Sequence, residues 1–255
     1  MIRETTISKG GCAIAVMAKA PRPGAVKTRL TPPLTPDAAS SLSASFLRDI
    51  TENIALAARD MAIDGYIAYA PAGYERAFDG MLADGTRRVL ADGTKISAPE
   101  VHGFGCSLLH AAQSLFLRGH DAVCLLNSDS PTLPTALLTR AAWQLAEPGD
   151  RVVLGPAEDG GYYVIGMKAP HLHLFQNIDW STDRVAAQTR ERARALGLAV
   201  HELDTWYDVD DAAALQRLCR ELASPSEVKG LRPYAAPTTA RLIERLLIHS
   251  RLSAA

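Results

Sequence analysis

The chain has 255 residues, of which 47% are hydrophobic and 22% charged, with 27 Lys and Arg against 28 Asp and Glu and a formal net charge of −1. That length suggests one large domain, and the apolar share is ample for a packed core, which excludes a disordered chain. The near-neutral balance excludes a general nucleic-acid surface and a polybasic membrane-surface protein.

Short β-rich runs alternate with helical ones along the chain. Cys12–Ala18 is the first expected strand. It is too short for a signal-peptide core, has few positive charges ahead of it, and is followed by Lys19, Pro21 and Arg22. Pro36 to about Ala58 reads as a helix, with Leu42, Phe46, Ile50 and Ile54 at four-residue spacing, Thr35 as cap and Pro36 in the first turn. Strands are expected at Gly65–Ala70, Ala122–Leu126, Val152–Gly155, Tyr162–Gly166 and Ala199–Leu203. Helices are expected at Thr135–Ala146, stopping before Pro148-Gly149, and at Thr182–Leu196, with Ser181 as cap and Gly197 as terminator. Another helix follows an acidic turn with Leu215, Leu218 and Leu222 inward. The last, Thr238–Leu252, comes after the connector Ser224–Pro237. This pattern predicts residues 1–223 as one α/β domain, with 224–255 a connector and helix packed on it. A mainly parallel sheet should carry helices on both faces, and ligands should sit beyond the carboxyl ends of its strands.

Cys12, Cys106, Cys124 and Cys219 are far apart and form no Cys-x-x-Cys pair. Neither a structural zinc site nor a disulfide framework is expected, and a reducing cytoplasm fits. No stretch reaches the roughly 18 apolar residues of a membrane span.

The strand ends carry the chemistry. From Thr5 to Pro36 there is no Asp or Glu, yet Lys9, Lys19, Arg22, Lys27 and Arg29 all fall there. At this chain's composition a window that long should hold about three or four acids. A cationic loop after a strand suits polyphosphate binding, and a solvated basic turn is the plain alternative. Lys27-Thr28 does not complete a Walker motif, because Val26 stands where glycine is required. No Gly-x-Gly-x-x-Gly follows the strand either.

Ala122–Leu126 runs into Asn127-Ser128-Asp129-Ser130-Pro131. Asp129 is placed to hold magnesium or manganese, whose hard-oxygen shell takes one or two carboxylates plus substrate phosphates. It could equally cap the turn before Pro131. Glu158-Asp159-Gly160-Gly161, between two apolar runs, reads first as a hairpin turn and second as a sugar- or acceptor-binding loop. Asp208, Asp210 and Asp211 exceed what capping one helix needs. If Asp208 or Asp210 lies near Asp129, the pair could hold one divalent cation opposite the basic loop. No Gly-x-Ser-x-Gly elbow or His-x-x-x-His pair is present.

Ala18–Gly24 with Lys27–Leu30, Ser128–Pro131, Gly155–Tyr163 and Asp208-Val209-Asp210 together resemble the bacterial A-type glycosyltransferase-like family. Its members include arsenosugar-biosynthesis glycosyltransferases and radical-SAM/selenodomain-associated transferases, and it looks related to phospholactate guanylyltransferases and molybdenum-cofactor nucleotidyltransferases. The match runs from about Cys12 to Leu222. The resemblance implies a three-layer Rossmann-like nucleotide-diphospho-sugar transferase (GT-A) fold. It implies Mg2+ or Mn2+ at Asp129 with Asp210 as second ligand and Asp208 beside them. Lys27 and Arg29 would hold donor phosphates, joined by Lys19, Arg22 and Ser128, and Glu158, Asp159, Gly160 and Gly161 would lie near the transferred group or acceptor. One stretch departs from the family pattern: where relatives usually carry Asp-Leu-Gly-x-Arg, this chain reads Gly103-Phe104-Gly105-Cys106-Ser107.

The expected function is glycosyl transfer from a nucleoside-diphosphate sugar to a small-molecule acceptor, with Asp129, Lys27 and Asp159 catalytic and Asp159 the base. The alternative is nucleotidyl transfer from a nucleoside triphosphate to a phosphorylated small molecule. A nucleotide-binding protein without catalysis is the third reading. Neither nucleic acid nor a membrane span is expected as a partner, and a homodimer is compatible with any of these.

Overall fold

A computed structural model describes residues 10–253. Residues 5–9, and with them Lys9 of the acid-free window, lie outside the described residues. Seven strands form one sheet: β1 (Cys12–Lys19), β2 (Ile63–Ala70), β3 (Arg87–Leu90), β4 (Ala122–Leu126), β5 (Arg151–Pro156), β6 (Tyr162–Met167) and β7 (Ala199–Glu202). Their order is β3-β2-β1-β4-β6-β5-β7. All neighbours pair parallel except at β6, which runs antiparallel to both β4 and β5. The mainly parallel, three-layer Rossmann-like fold expected from the sequence is the one found.

Six helices cover the sheet: α1 (Pro36–Ala57), α2 (Phe104–Phe116), α3 (Thr135–Ala146), α4 (Val185–Ala195), α5 (Ala212–Ala223) and α6 (Pro237–Ser253). Alternation along β1 divides the core. Ile14 and Val16 face a layer containing Phe46 and Ile54 of α1, Leu138 of α3, Leu218 of α5 and Ile243 of α6. Ala13 and Ala15 face the other layer, with Leu109 of α2 and Ala193 of α4. β1, buried on both faces over seven of its eight residues, reads as a continuous apolar run rather than an alternating one.

Thr35 caps α1 as its sequence predicts, its side chain accepting from the Ala38 N–H, and Pro36 opens the helix. Gly197 follows α4 with a positive φ of 69°, where a side chain would be strained.

Two elements were not read from the periodicity of the sequence. β3 has only four residues, two of them Arg, too few for an apolar run to show. α2 starts at Gly103 with no side-chain cap, and Gly105 sits in its first turn, so it lacks the usual start signal. One boundary also moves. Ser181 does not cap a helix: it takes a left-handed φ of 63°, and α4 begins only at Val185. No helix among the described residues is long and apolar enough to cross a membrane.

Candidate active site

The loop after β1 turns back at Arg22–Ala25, where the Ala25 N–H bonds the Arg22 carbonyl, and ends in a short 3-10 turn at Thr28–Leu30. Leu30 is fully buried and anchors that turn in the core. Lys27, one residue before it, holds a left-handed backbone (φ 50°, ψ 38°), an arrangement that costs a non-glycine residue about 1–2 kcal/mol. The strained backbone accompanies a specific aim. The side chain passes over the Phe46 ring, with Nζ 5.2 Å from its centroid. Nζ then donates to Asp129 Oδ1 at 2.6 Å, to the Val209 carbonyl at 2.7 Å and to Asp210 Oδ1 at 3.3 Å.

Backbone and side-chain bonds draw the two acids together. The Val209 N–H bonds the Asp129 carbonyl at 2.8 Å, and Ser130 Oγ donates to the Tyr207 carbonyl at 2.9 Å. Upstream, the Trp206 N–H meets the Pro156 carbonyl, so the acidic segment runs beside the end of β5. The turn after β4 is capped by Asn127, whose Oδ1 accepts from the Asp129 N–H. Its Nδ2 also donates to Ser130 Oγ. The Asp129 carboxylate is thereby left to Lys27 and to the Ser128 hydroxyl.

Carboxylates crowd one side of the site, beside the cations Lys27 and Arg29. Burial first, then the Asp159 and Asp210 carboxylates, and more weakly Asp129, push Asp208 up to about 7. Asp210 is raised as well, by burial and then by Asp129, while Lys27 and Arg29 pull it back. Asp208 and Asp210 thus feel their acidic neighbours, and Lys27 bridges two of these carboxylates, Asp129 and Asp210. Among the described residues no three His, Cys, Asp or Glu side chains come together as a metal cage. What is assembled is a pair of hard oxygen donors, Asp129 and Asp210, in a neighbourhood that a cation would relieve. This matches Mg2+ or Mn2+, which take few protein ligands and complete their shell with water and phosphate.

A cavity of about 530 Å³ opens over the ends of β1, β2 and β4. Lys19, Lys27, Arg29, Ser128, Asp129 and Asp210 all line it. The remaining sequence candidates lie outside its lining. Arg22 bonds the Tyr74 hydroxyl at 3.0 Å and stacks on that ring. Glu158 pairs with Arg217 at 2.6 Å. Asp159 Oδ1 accepts from the Gly161 N–H at 2.8 Å, the local bond a hairpin turn makes. Gly160 has a structural reason of its own. Its φ is +90°, and a Cβ there would lie 2.2 Å from the Asp183 carbonyl oxygen. Its bareness lets the 180–184 turn close in and carry Ser181 to the cavity wall.

Sequence reasoning missed that wall: Phe104, Ser107 and Ser181, with Ser43 on the opposite side. The departure at Gly103–Ser107 was the one signal that could have found the first two.

Order and direction of the strands, with a cationic loop and an acid pair at their carboxyl ends, define a Rossmann-like α/β fold. The chain belongs to the family described as "Uncharacterized protein conserved in bacteria (DUF2064)", whose model matches residues 53–182. That match includes Asp129 and Glu158–Gly161 but stops short of Lys27 on one side and Asp210 on the other. Among solved structures, a Desulfovibrio desulfuricans protein assigned as a nucleotide-diphospho-sugar transferase superposes with a TM-score of 0.73 at 28% identity, covering 92% of this chain and 94% of its own. CMP:2-keto-3-deoxy-manno-octonic acid synthetase in complex with CTP (12% identity, TM-score 0.52) covers 85% of this chain and 100% of its own. A nucleotidyl transferase from Methanothermobacter thermautotroptrophicus (16%, 0.51) covers 82% and 95%. These last two share the fold. No curated protein matches the chain.

Proposed function

We propose that the protein is a divalent-metal-dependent transferase that moves a glycosyl group from a nucleoside-diphosphate sugar to a small acceptor. The observation that carries this reading is the Asp129–Lys27–Asp210 contact in the wall of the cavity, beside Arg29 and Lys19. Likeness to the Desulfovibrio protein over nearly the whole chain supports the sugar-nucleotide donor over a triphosphate. The motifs shared with the arsenosugar and radical-SAM-associated enzymes support placing it among them.

In this reading Asp129 and Asp210 hold Mg2+ or Mn2+, with Asp208 next to them. When bound, the ion supplies charge stabilisation to the departing diphosphate. Lys27 turns from bridging the acids to neutralising donor phosphate, and Lys19 and Arg29 take the remaining charge. Ser128 and the backbone after β4 orient the donor. Asp159, whose charge reaches Asp208, receives the proton of the attacking acceptor hydroxyl, and the Glu158–Gly161 hairpin positions that acceptor.

Calorimetric titration with UDP, GDP and other nucleoside diphosphates in the presence of manganese tests the reading. Micromolar binding that vanishes on chelation is expected. Absence of binding to every nucleotide removes it. Pyrophosphate release from a triphosphate would transfer the site to nucleotidyl chemistry.

A further inference from the structure

The cavity changes character across the sheet. Over β1 and β4 it is lined by Lys19, Lys27, Arg29, Asp129 and Asp210. Over β2 and the end of β3 its lining is uncharged and small, consisting of Ala68, Ala70 and Ala91, closed by Phe104 at the start of α2. Phe104 is 47% exposed, so its ring is open to the cavity it lines. It is also held in place. Trp180 meets it edge to face, with ring centroids 5.7 Å apart and an interplanar angle of 88°. Gly105 makes this contact feasible, since a Cβ there would sit 3.0 Å from the indole. The turn that carries Trp180 and Ser181 is in turn seated on Gly160.

We infer that Phe104, backed by Trp180, is the stacking wall for the nucleobase of the donor. The inference rests on the nucleotide reading above and deepens it by assigning the two ends of the cavity. A nucleoside diphosphate has one strongly anionic part and one flat uncharged part. The first belongs with the cations over β1, and the reacting sugar belongs with the carboxylates at β4. The alanine floor under Phe104 is left for the flat ring. Stacking tolerates any base, because each has a π-face, so Phe104 sets affinity for nucleotides as a class. Choice among bases would fall to polar groups beside it, of which Ser107 and Ser181 are the nearest on the same wall.

Titrating wild type, Phe104→Ala and Phe104→Trp with UDP, GDP and inorganic pyrophosphate, each with manganese, tests this. Phe104→Ala is expected to lose about tenfold or more in affinity for both nucleotides while pyrophosphate binding stays unchanged. Phe104→Trp should restore nucleotide binding. Thermal melting of each variant checks the fold, which an exposed side chain should leave intact. Equal nucleotide affinity in wild type and Phe104→Ala overturns the wall while leaving the nucleotide reading in place. An equal loss for pyrophosphate also overturns it. Failure of the wild type to bind any nucleotide overturns the underlying reading and the inference with it.

Discussion

Asp49 and Asp210 are both carboxylates held by partners far away in the chain, and the chain treats them oppositely. Asp49 lies on α1, is fully buried, and accepts the N–H groups of Thr238 and Thr239 at 2.9 and 2.7 Å, at the start of α6. Those donors are fixed and complete, and the α6 dipole adds to them. Asp210 instead faces Asp129, with Asp208 two residues away, and shares one ammonium with Asp129. Burial raises the pKa of both groups. A raised carboxyl is therefore not by itself the mark of a functional site. What separates the two is whether the compensating charge is built into the fold or left short. Asp49 ties a helix down, whereas Asp129 and Asp210 share one ammonium, that of Lys27, and face the cavity.

The sharpest way to break this contrast is to exchange the two phenotypes. Asp129→Asn should lower transfer by about 10²–10³-fold, the loss expected when one charge-stabilising group leaves an active site. Stability should move by only about 1 kcal/mol, because the buried Lys27 ammonium keeps the Val209 carbonyl and Asp210, and the change also relieves repulsion on Asp210. Turnover and urea unfolding of the same variant check both halves. If Asp129→Asn unfolds the protein instead, the site is a structural network and the contrast with Asp49 collapses.

Asp49→Ala should do the reverse. It removes the acceptor of two N–H groups at a buried helix start, and a loss of about 2 kcal/mol follows from the missing cap and stranded donors. Urea unfolding reads the loss, and turnover measured well below the transition should match the wild type. A fall in turnover with an unchanged urea midpoint would mean that α6 acts on the site in a way its packing against α1 does not suggest.

How much of this could be read from the chain depended on how local each signal was. The cap of α1 and the sheet's buried strands are local, carried by Thr35-Pro36 and by apolar runs such as Cys12–Ala18, and they were legible. Lys27 was legible as a cation but not as a bridge, because its left-handed backbone and its partners Val209 and Asp210, over 180 residues away, are tertiary facts. Asp129 offered two roles of equal weight, and its contacts, with Lys27 and the Ser128 hydroxyl on the carboxylate and Asn127 on the N–H, are not written in the local sequence. Asp49 gave no signal at all: an acid in the middle of an otherwise apolar helical face looks like a surface residue until the start of α6 is seen above it. The aromatic wall was hidden for a related reason, since Phe104 and Trp180 are 76 positions apart and belong to different elements.

The smallest effect tests the comparison where the two acids are most alike. Burial holds the Asp49 carboxyl above its ordinary value of 3.8, and the Thr238 and Thr239 donors offset this only in part. Between that ordinary value and the raised one, the folded chain binds more protons at Asp49 than the unfolded chain does. Stability contributed by this residue therefore falls as pH rises through the window, the reverse of an ordinary salt-bridged acid. Asp49→Asn is neutral at every pH and should lack that component. Subtracting its unfolding free energy from the wild type's, from about pH 4 to pH 6, should give a difference that declines with pH. A difference that rises would mean the helix donors outweigh burial, making Asp49 a net stabilised anion and the raised value at Asp210 a property of its acidic neighbours alone.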